Sequence, residues 1–105
     1  MAEALLGIDL GGTLVKTALV SRDKKILSKD ARPTRAHEGL DVVLDVIAAS
    51  VEAVLADAGH AREEVLAACI GAPGPSNPHT GVVFSPPNLP GWKDVPLAEL
   101  MTERL

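Results

Sequence analysis

Two short apolar runs face each other across a glycine pair near the start of the chain. Leu6, Ile8 and Leu10 alternate with small or polar residues, and after Gly11-Gly12 the alternation resumes at Val15, Thr17 and Leu19. A period of two marks half-buried strands, and the glycines between them read as the turn of a hairpin. Strands are expected over Ala4–Leu10 and Leu14–Ser21. Gly11 and Gly12 can take positive φ and carry no Cβ, so backbone N–H groups can converge there on an anion. Thr13 adds a hydroxyl and Lys16 a cation. Asp9, at the end of the first strand, is placed to hold a hydrated Mg²⁺ beside a phosphate. A Gly-Gly pair alone is an ordinary type I′ turn; the whole string Asp-x-Gly-Gly-Thr is more specific. It is not a Walker A loop, since Gly-x-x-x-x-Gly-Lys-Ser/Thr is absent. It is not a dinucleotide fingerprint either, because the turn leads into a strand and Gly-x-Gly-x-x-Gly is missing.

With 105 residues the chain is expected to be one domain at most. Its 47% apolar content argues against disorder. One Phe, one Trp and no Tyr leave Leu, Val, Ile and Ala to build the core. A net charge of −4 argues against a general nucleic-acid binder. Residues 1–37 hold seven Lys/Arg and four Asp/Glu, the remainder three and ten, an imbalance that a solvated hairpin face explains better than a basic phosphate-attracting lobe. Cys69 is the only cysteine, so no internal disulfide is expected, and within its apolar run it reads as a small buried hydrophobe. The run Ala4–Ile8 is too short for a signal peptide and is cut by Asp9, and no stretch has the apolar length to cross a bilayer. A cytoplasmic protein without membrane contacts is the expectation.

Arg22–Lys25 reads as a polar turn, and Ile26–Arg32 as a third strand ended by Pro33, which has no N–H for a ladder. Glu38–Ala58 is the clearest helix: Leu40, Val43, Leu44, Ile47, Val51, Val54 and Leu55 recur at three- and four-residue steps, and Gly59 supplies a stop. Val65–Ile70 is nearly unbroken in its apolarity and reads as a strand covered on both faces. The order is βββαβ, an α/β arrangement. Seven of the eight prolines then fall within residues 71–96, which read as ordered loops with a hairpin candidate at Thr80–Phe84. Pro96–Leu105 begins a further helix.

Asp9-Leu10-Gly11-Gly12-Thr13, Gly71-Ala72-Pro73-Gly74 and Asn88-Leu89-Pro90-Gly91-Trp92 stand in the order found in the ROK sugar kinases of glucokinase and fructokinase type. The whole chain resembles the front part of such a kinase, within the sugar kinase, heat-shock ATPase and actin superfamily. The resemblance implies the ribonuclease-H-like, actin-like ATPase fold, with residues 1–105 as an incomplete first lobe. It implies ATP and Mg²⁺ as cofactors and a hexose as partner, with direct transfer of the γ-phosphate to a sugar hydroxyl. By the resemblance, Asp9, Gly11, Gly12, Thr13 and Lys16 hold the nucleotide phosphates, and Asp9 holds Mg²⁺ through water. Many relatives carry a polar residue after the threonine where this chain has Leu14, which removes a side-chain contact but leaves the backbone donors. Gly71, Ala72, Gly74 and Asn88 correspond to a wall of the sugar pocket; Asn88 between prolines also suits a plain turn.

The family's catalytic base is the aspartate of an Asn-Asp pair. No such pair occurs here, so no catalytic residue is assigned and the base is expected beyond Leu105. The family's zinc motif needs clustered cysteines and a histidine; zinc is compatible with a longer parent protein but finds no site in this chain. His37, His60 and His79 read as surface residues. On these grounds the chain is expected to be inactive alone and to be part of a longer kinase. Two other readings compete: a non-catalytic binding module of the same fold, and a ROK sugar-sensing transcriptional regulator. The regulator needs a DNA-binding domain ahead of the turn, where Met1 stands only eight residues before Asp9. Relatives are often dimers, so a homodimer stands among the expected assemblies. Neither the sugar nor the oligomeric state is named by the sequence.

Overall fold

The computed structural model describes residues 3–71, 76–77, 82–83 and 95–104. Strands β1 (Ala4–Leu10), β2 (Leu14–Ser21) and β3 (Ile26–Pro33) form an antiparallel meander. Helix α1 (Leu40–Ala58) follows, and its crossover brings β4 (Val65–Gly71) parallel to β1, giving the sheet order β3-β2-β1-β4. This is the expected βββαβ order. A second, small sheet joins β5 (Ser76–Asn77), β6 (Val82–Val83) and β7 (Val95–Pro96). Helix α2 (Leu97–Arg104) starts one residue after the expected proline. The Thr80–Phe84 hairpin candidate is met by β6; its other residues lie outside the described ones, as does His79.

The alternation of β1 and β2 sends Leu6, Ile8, Leu10, Val15, Thr17 and Leu19 to one face of the sheet, all of them buried. Helix α1 covers that face with Val43, Leu44, Ile47, Val51, Val54 and Leu55. Fully burying one such aliphatic side chain is worth roughly 1.5–3 kcal/mol, so this two-layer contact is the main source of stability. Leu97 and Met101 of α2 close one side of the same core.

Helix α1 begins at Leu40, two residues later than expected. Gly39 sits at φ 101°, outside helical space, and residues 36–38 form a separate 3₁₀ turn. At the other end Gly59 takes the left-handed conformation (φ 71°, ψ 30°). Its N–H donates to the Ala56 carbonyl, and the His60 N–H donates to that of Leu55 at 3.0 Å. This pair of bonds forms a Schellman stop. Strand β3 includes Pro33, which pairs with Leu14; β3 is an edge strand, where a missing N–H is tolerated.

Three expectations fail. Strand β4 is not covered on both faces: Leu66 is 53% exposed, and Ala67, Ala68 and Cys69 are exposed too. Helix α1 lies over β2 and β3 and only touches β1, so only Val65 and Ile70, at the two ends of β4, pack partly against the core. Cys69 is accordingly exposed rather than buried. His60 is not a surface residue. Its side chain is 11% exposed, with Nδ1 3.6 Å from a Glu64 oxygen, and its backbone N–H is tied to Leu55 in the Schellman turn. His37 is exposed, as expected.

A polar cluster crosses the helix–sheet interface. Ser50 of α1 is fully buried, and its hydroxyl is 2.8 Å from both Thr17 Oγ1 and Asp30 Oδ2. Arg32 grips the same Asp30 carboxylate with Nε at 2.7 Å and a second nitrogen at 3.1 Å. The hydrogen-bonded Arg32 guanidinium holds the Asp30 carboxyl below the usual aspartate range; the Ser50 hydroxyl adds to this, and desolvation opposes it. Ser28 also reaches the helix, donating to the Val54 carbonyl at 2.7 Å.

Replacing Ser50 by Ala leaves Thr17 and Asp30 without their buried partner and is expected to cost about 1–3 kcal/mol, measured by urea denaturation. Because the native Asp30 pKa is depressed, its contribution is complete above the unfolded value of roughly 3.9 and disappears as pH falls through the lower native value. The stability difference between wild type and Asp30→Asn is therefore expected to be constant above about pH 5 and to shrink below the unfolded pKa.

Candidate phosphate-binding turn

Residues 11–13 close the β1–β2 hairpin. The ladder runs to Leu10 opposite Val15, and the Gly11 N–H donates to the Leu14 carbonyl at 3.0 Å. The structure corrects the reason for glycine here. Positive φ among the described glycines occurs at Gly39 and Gly59, not in the turn. Gly11 is required for space instead: a Cβ on it would stand 2.9 Å from the Leu14 carbonyl oxygen.

The turn is held from the end of β3. Thr34, fully buried, donates its backbone N–H to the Thr13 carbonyl at 2.9 Å and its hydroxyl to the Gly11 carbonyl at 2.7 Å. Sequence reading missed this residue. The signal lies in the register: once Leu14 pairs with Pro33, the residue that follows β3 must lie against the turn. The N–H groups of Gly12 and Thr13 meet no acceptor among the described residues, and the Thr13 side chain is exposed. Adjacent N–H groups without partners suit an anion.

Beside the turn, Asp9, Lys16 and Gly71 stand in one row. Asp9 is the register partner of Lys16 on β2 and of Gly71 on β4. Asp9 and Lys16 are both exposed, and neither side chain makes a hydrogen bond or ion pair with another described residue. All three line a cleft of about 680 Å³ on the sheet face opposite α1. The floor of that cleft is made of small residues, Gly7, Ala18 and Ala31, and Lys29 adds a second cation to its wall. The expected phosphate residues Asp9, Gly11, Gly12, Thr13 and Lys16 are thus brought to one end of the hairpin. Of the four expected sugar-side residues, Gly71 ends β4 next to Asp9; Ala72, Gly74 and Asn88 lie outside the described residues. Among the described residues, no group of three His, Cys, Asp or Glu side chains is arranged to hold a metal ion. No helix is long and apolar enough to cross a membrane.

The chain is similar to known proteins in sequence and in fold. A glucokinase of Thermotoga maritima is 39% identical over 100 residues, covering 95% of this chain and 30% of that protein. The crystal structure of a ROK hexokinase from Thermus thermophilus superposes with a TM-score of 0.83 at 33% identity, covering 96% of this chain and 32% of that one. A ROK family glucokinase from Streptomyces griseus, solved with glucose and AMPPNP, gives the same TM-score at 28% identity, covering 97% of this chain and 30% of that one. The chain therefore spans about 30% of the length of the curated relatives it matches.

Gly11→Ala is expected to push the Leu14 carbonyl aside and to cost about 1–3 kcal/mol, the usual scale of overpacking, read as a lower thermal midpoint. The ROK family model matches residues 5–105, and the chain belongs to the ROK family.

Proposed function

We propose that residues 1–105 form the phosphate-holding front of an ATP-dependent sugar kinase that transfers the γ-phosphate to a hexose hydroxyl. The observation that carries this reading is the turn of residues 11–13, whose unpartnered groups are mostly donors. Two N–H groups without acceptors and a free threonine hydroxyl match phosphate oxygens. The glucokinase names of the relatives, and the AMPPNP and glucose in one of the solved structures, support the same nucleotide and sugar class.

The residues present fit ATP with Mg²⁺. Magnesium keeps most of its water and asks for one or two carboxylates besides substrate phosphates, so the single exposed Asp9 is sufficient on the protein side. Asp9 would hold the hydrated ion, and Lys16, its cross-strand partner, would neutralise a phosphate oxygen. When bound, Mg-ATP supplies the transferable phosphoryl group and the counter-charge on it. The backbone donors of the turn are fixed in advance, and donors held rigid lose little in reorganisation when charge develops on phosphate oxygens. Gly71, beside Asp9 in register, brings the proposed sugar wall next to the proposed phosphate site; Ala72, Gly74 and Asn88 would continue that wall. Small residues there let sugar hydroxyls approach the backbone. No group in this chain is assigned to accept the hydroxyl proton, and that base is expected from an Asn-Asp pair outside it. A cytoplasmic setting goes with this reading.

The test is ADP release by the full-length product of this gene with Mg-ATP and a panel of hexoses. Sugar-dependent release is expected. Asp9→Asn is expected to lower kcat/KM by roughly a hundredfold or more, the scale of losing one preorganised charge-stabilising group. A protein that releases no ADP with any hexose is instead a non-catalytic module.

A further inference from the structure

We infer that Thr34 is a positioning residue for the phosphate turn, and that it works by occupying two of the turn's three carbonyl oxygens, so that donors outnumber acceptors toward an anion. This rests on the reading of that turn as a phosphate site. A three-residue turn carries as many carbonyl acceptors as N–H donors, and an exposed carbonyl repels a phosphate as strongly as an N–H attracts it. Thr34 removes two carbonyls at once. Its hydroxyl takes the Gly11 oxygen at 2.7 Å and its N–H takes the Thr13 oxygen at 2.9 Å. The Gly11 N–H, pointing away toward Leu14, is already satisfied. What remains unpartnered in the turn is the N–H donors of Gly12 and Thr13, against the single carbonyl of Gly12.

The surrounding chain is built to hold Thr34 in that pose. Pro33 before it has its φ fixed by the ring and is the last residue paired with β2. Arg35 after it takes the left-handed conformation (φ 60°, ψ 43°), uncommon for a residue with a Cβ. Arg35 is kept there by a double hydrogen bond to Glu38, at 2.6 Å for each nitrogen–oxygen contact. The chain thus reverses immediately after Thr34, and the threonine is left fully buried against the turn. A left-handed arginine braced by its own ion pair is a cost that an ordinary strand exit would not carry.

The experiment uses the full-length gene product and compares wild type with Thr34→Val, Thr34→Ala and Thr34→Ser. Removing the hydroxyl frees the Gly11 carbonyl, and KM for Mg-ATP is expected to rise about three- to tenfold, the equivalent of one hydrogen bond. KM for glucose and the inhibition constant of adenosine are expected to stay at wild-type values, because neither engages the turn. Thr34→Ser keeps both bonds and is expected to restore the wild-type KM for Mg-ATP. Two hydroxyl-free variants of different bulk are used so that a folding failure of one leaves the other as the test. The inference is overturned if Thr34→Val or Thr34→Ala binds Mg-ATP like wild type. It is also overturned if Mg-ATP, glucose and adenosine constants all worsen together, which is the mark of a merely structural role. A wild-type protein that binds no Mg-ATP overturns the phosphate-site reading as well, and so separates that failure from this one.

Discussion

Side chains on a strand alternate between faces, so slipping β2 by one residue against β1 would turn Val15, Thr17 and Leu19 outward and Leu14, Lys16 and Ala18 into the core. The turn prevents this by pinning Leu10 to Val15, with the Gly11–Leu14 bond closing the ladder just beyond. The same register places Asp9 opposite Lys16 and sets Pro33 against Leu14, which delivers Thr34 to the turn. Core and candidate site therefore depend on one alignment. A slip that buried Lys16 would also dismantle the turn that leaves the Gly12 and Thr13 N–H groups unpartnered.

The helix is registered by different means. Aliphatic contacts tolerate sliding, since one methyl group is much like another. Hydrogen bonds between buried polar groups are less tolerant, because a displaced partner leaves an unsatisfied donor or acceptor. Ser50 meeting Thr17 and Asp30, and Ser28 meeting the Val54 carbonyl, fix α1 along its length over β2 and β3. The Schellman stop at Gly59 then sets where the chain leaves the helix to begin the crossover to β4.

The strands, the helix and their order could be read from the sequence because their signals are local. Alternation marks β1 and β2, a 3.6-residue stripe marks α1, and Gly59 marks its end. The glycine turn of residues 11–13 is legible as a short motif. What escaped depends on which elements meet in space. Ser50 sits among alanines and reads as a neutral helix residue until β2 and β3 are laid beneath it. Thr34 reads as a loop residue until the strand register is known. Burial of β4 was inferred from its apolar run, yet apolarity states what would gain from cover and not whether cover is present. Cys69 and His60 were misjudged for the same reason, in opposite directions.

The two edges of the sheet differ in kind. Along β3 the outer edge carries Lys29, Asp30 and Arg32 and ends at Pro33, which has no amide hydrogen to offer. Charge and proline are the usual guards against an incoming strand. Strand β4, the opposite edge among the described residues, reads Val65-Leu66-Ala67-Ala68-Cys69-Ile70-Gly71, without a charge or a proline. The sheet is thus polarised like a growing polymer, with one end terminated and one end reactive. An added strand would meet charge and proline beside β3 and neither beside β4, on the side away from where α1 packs.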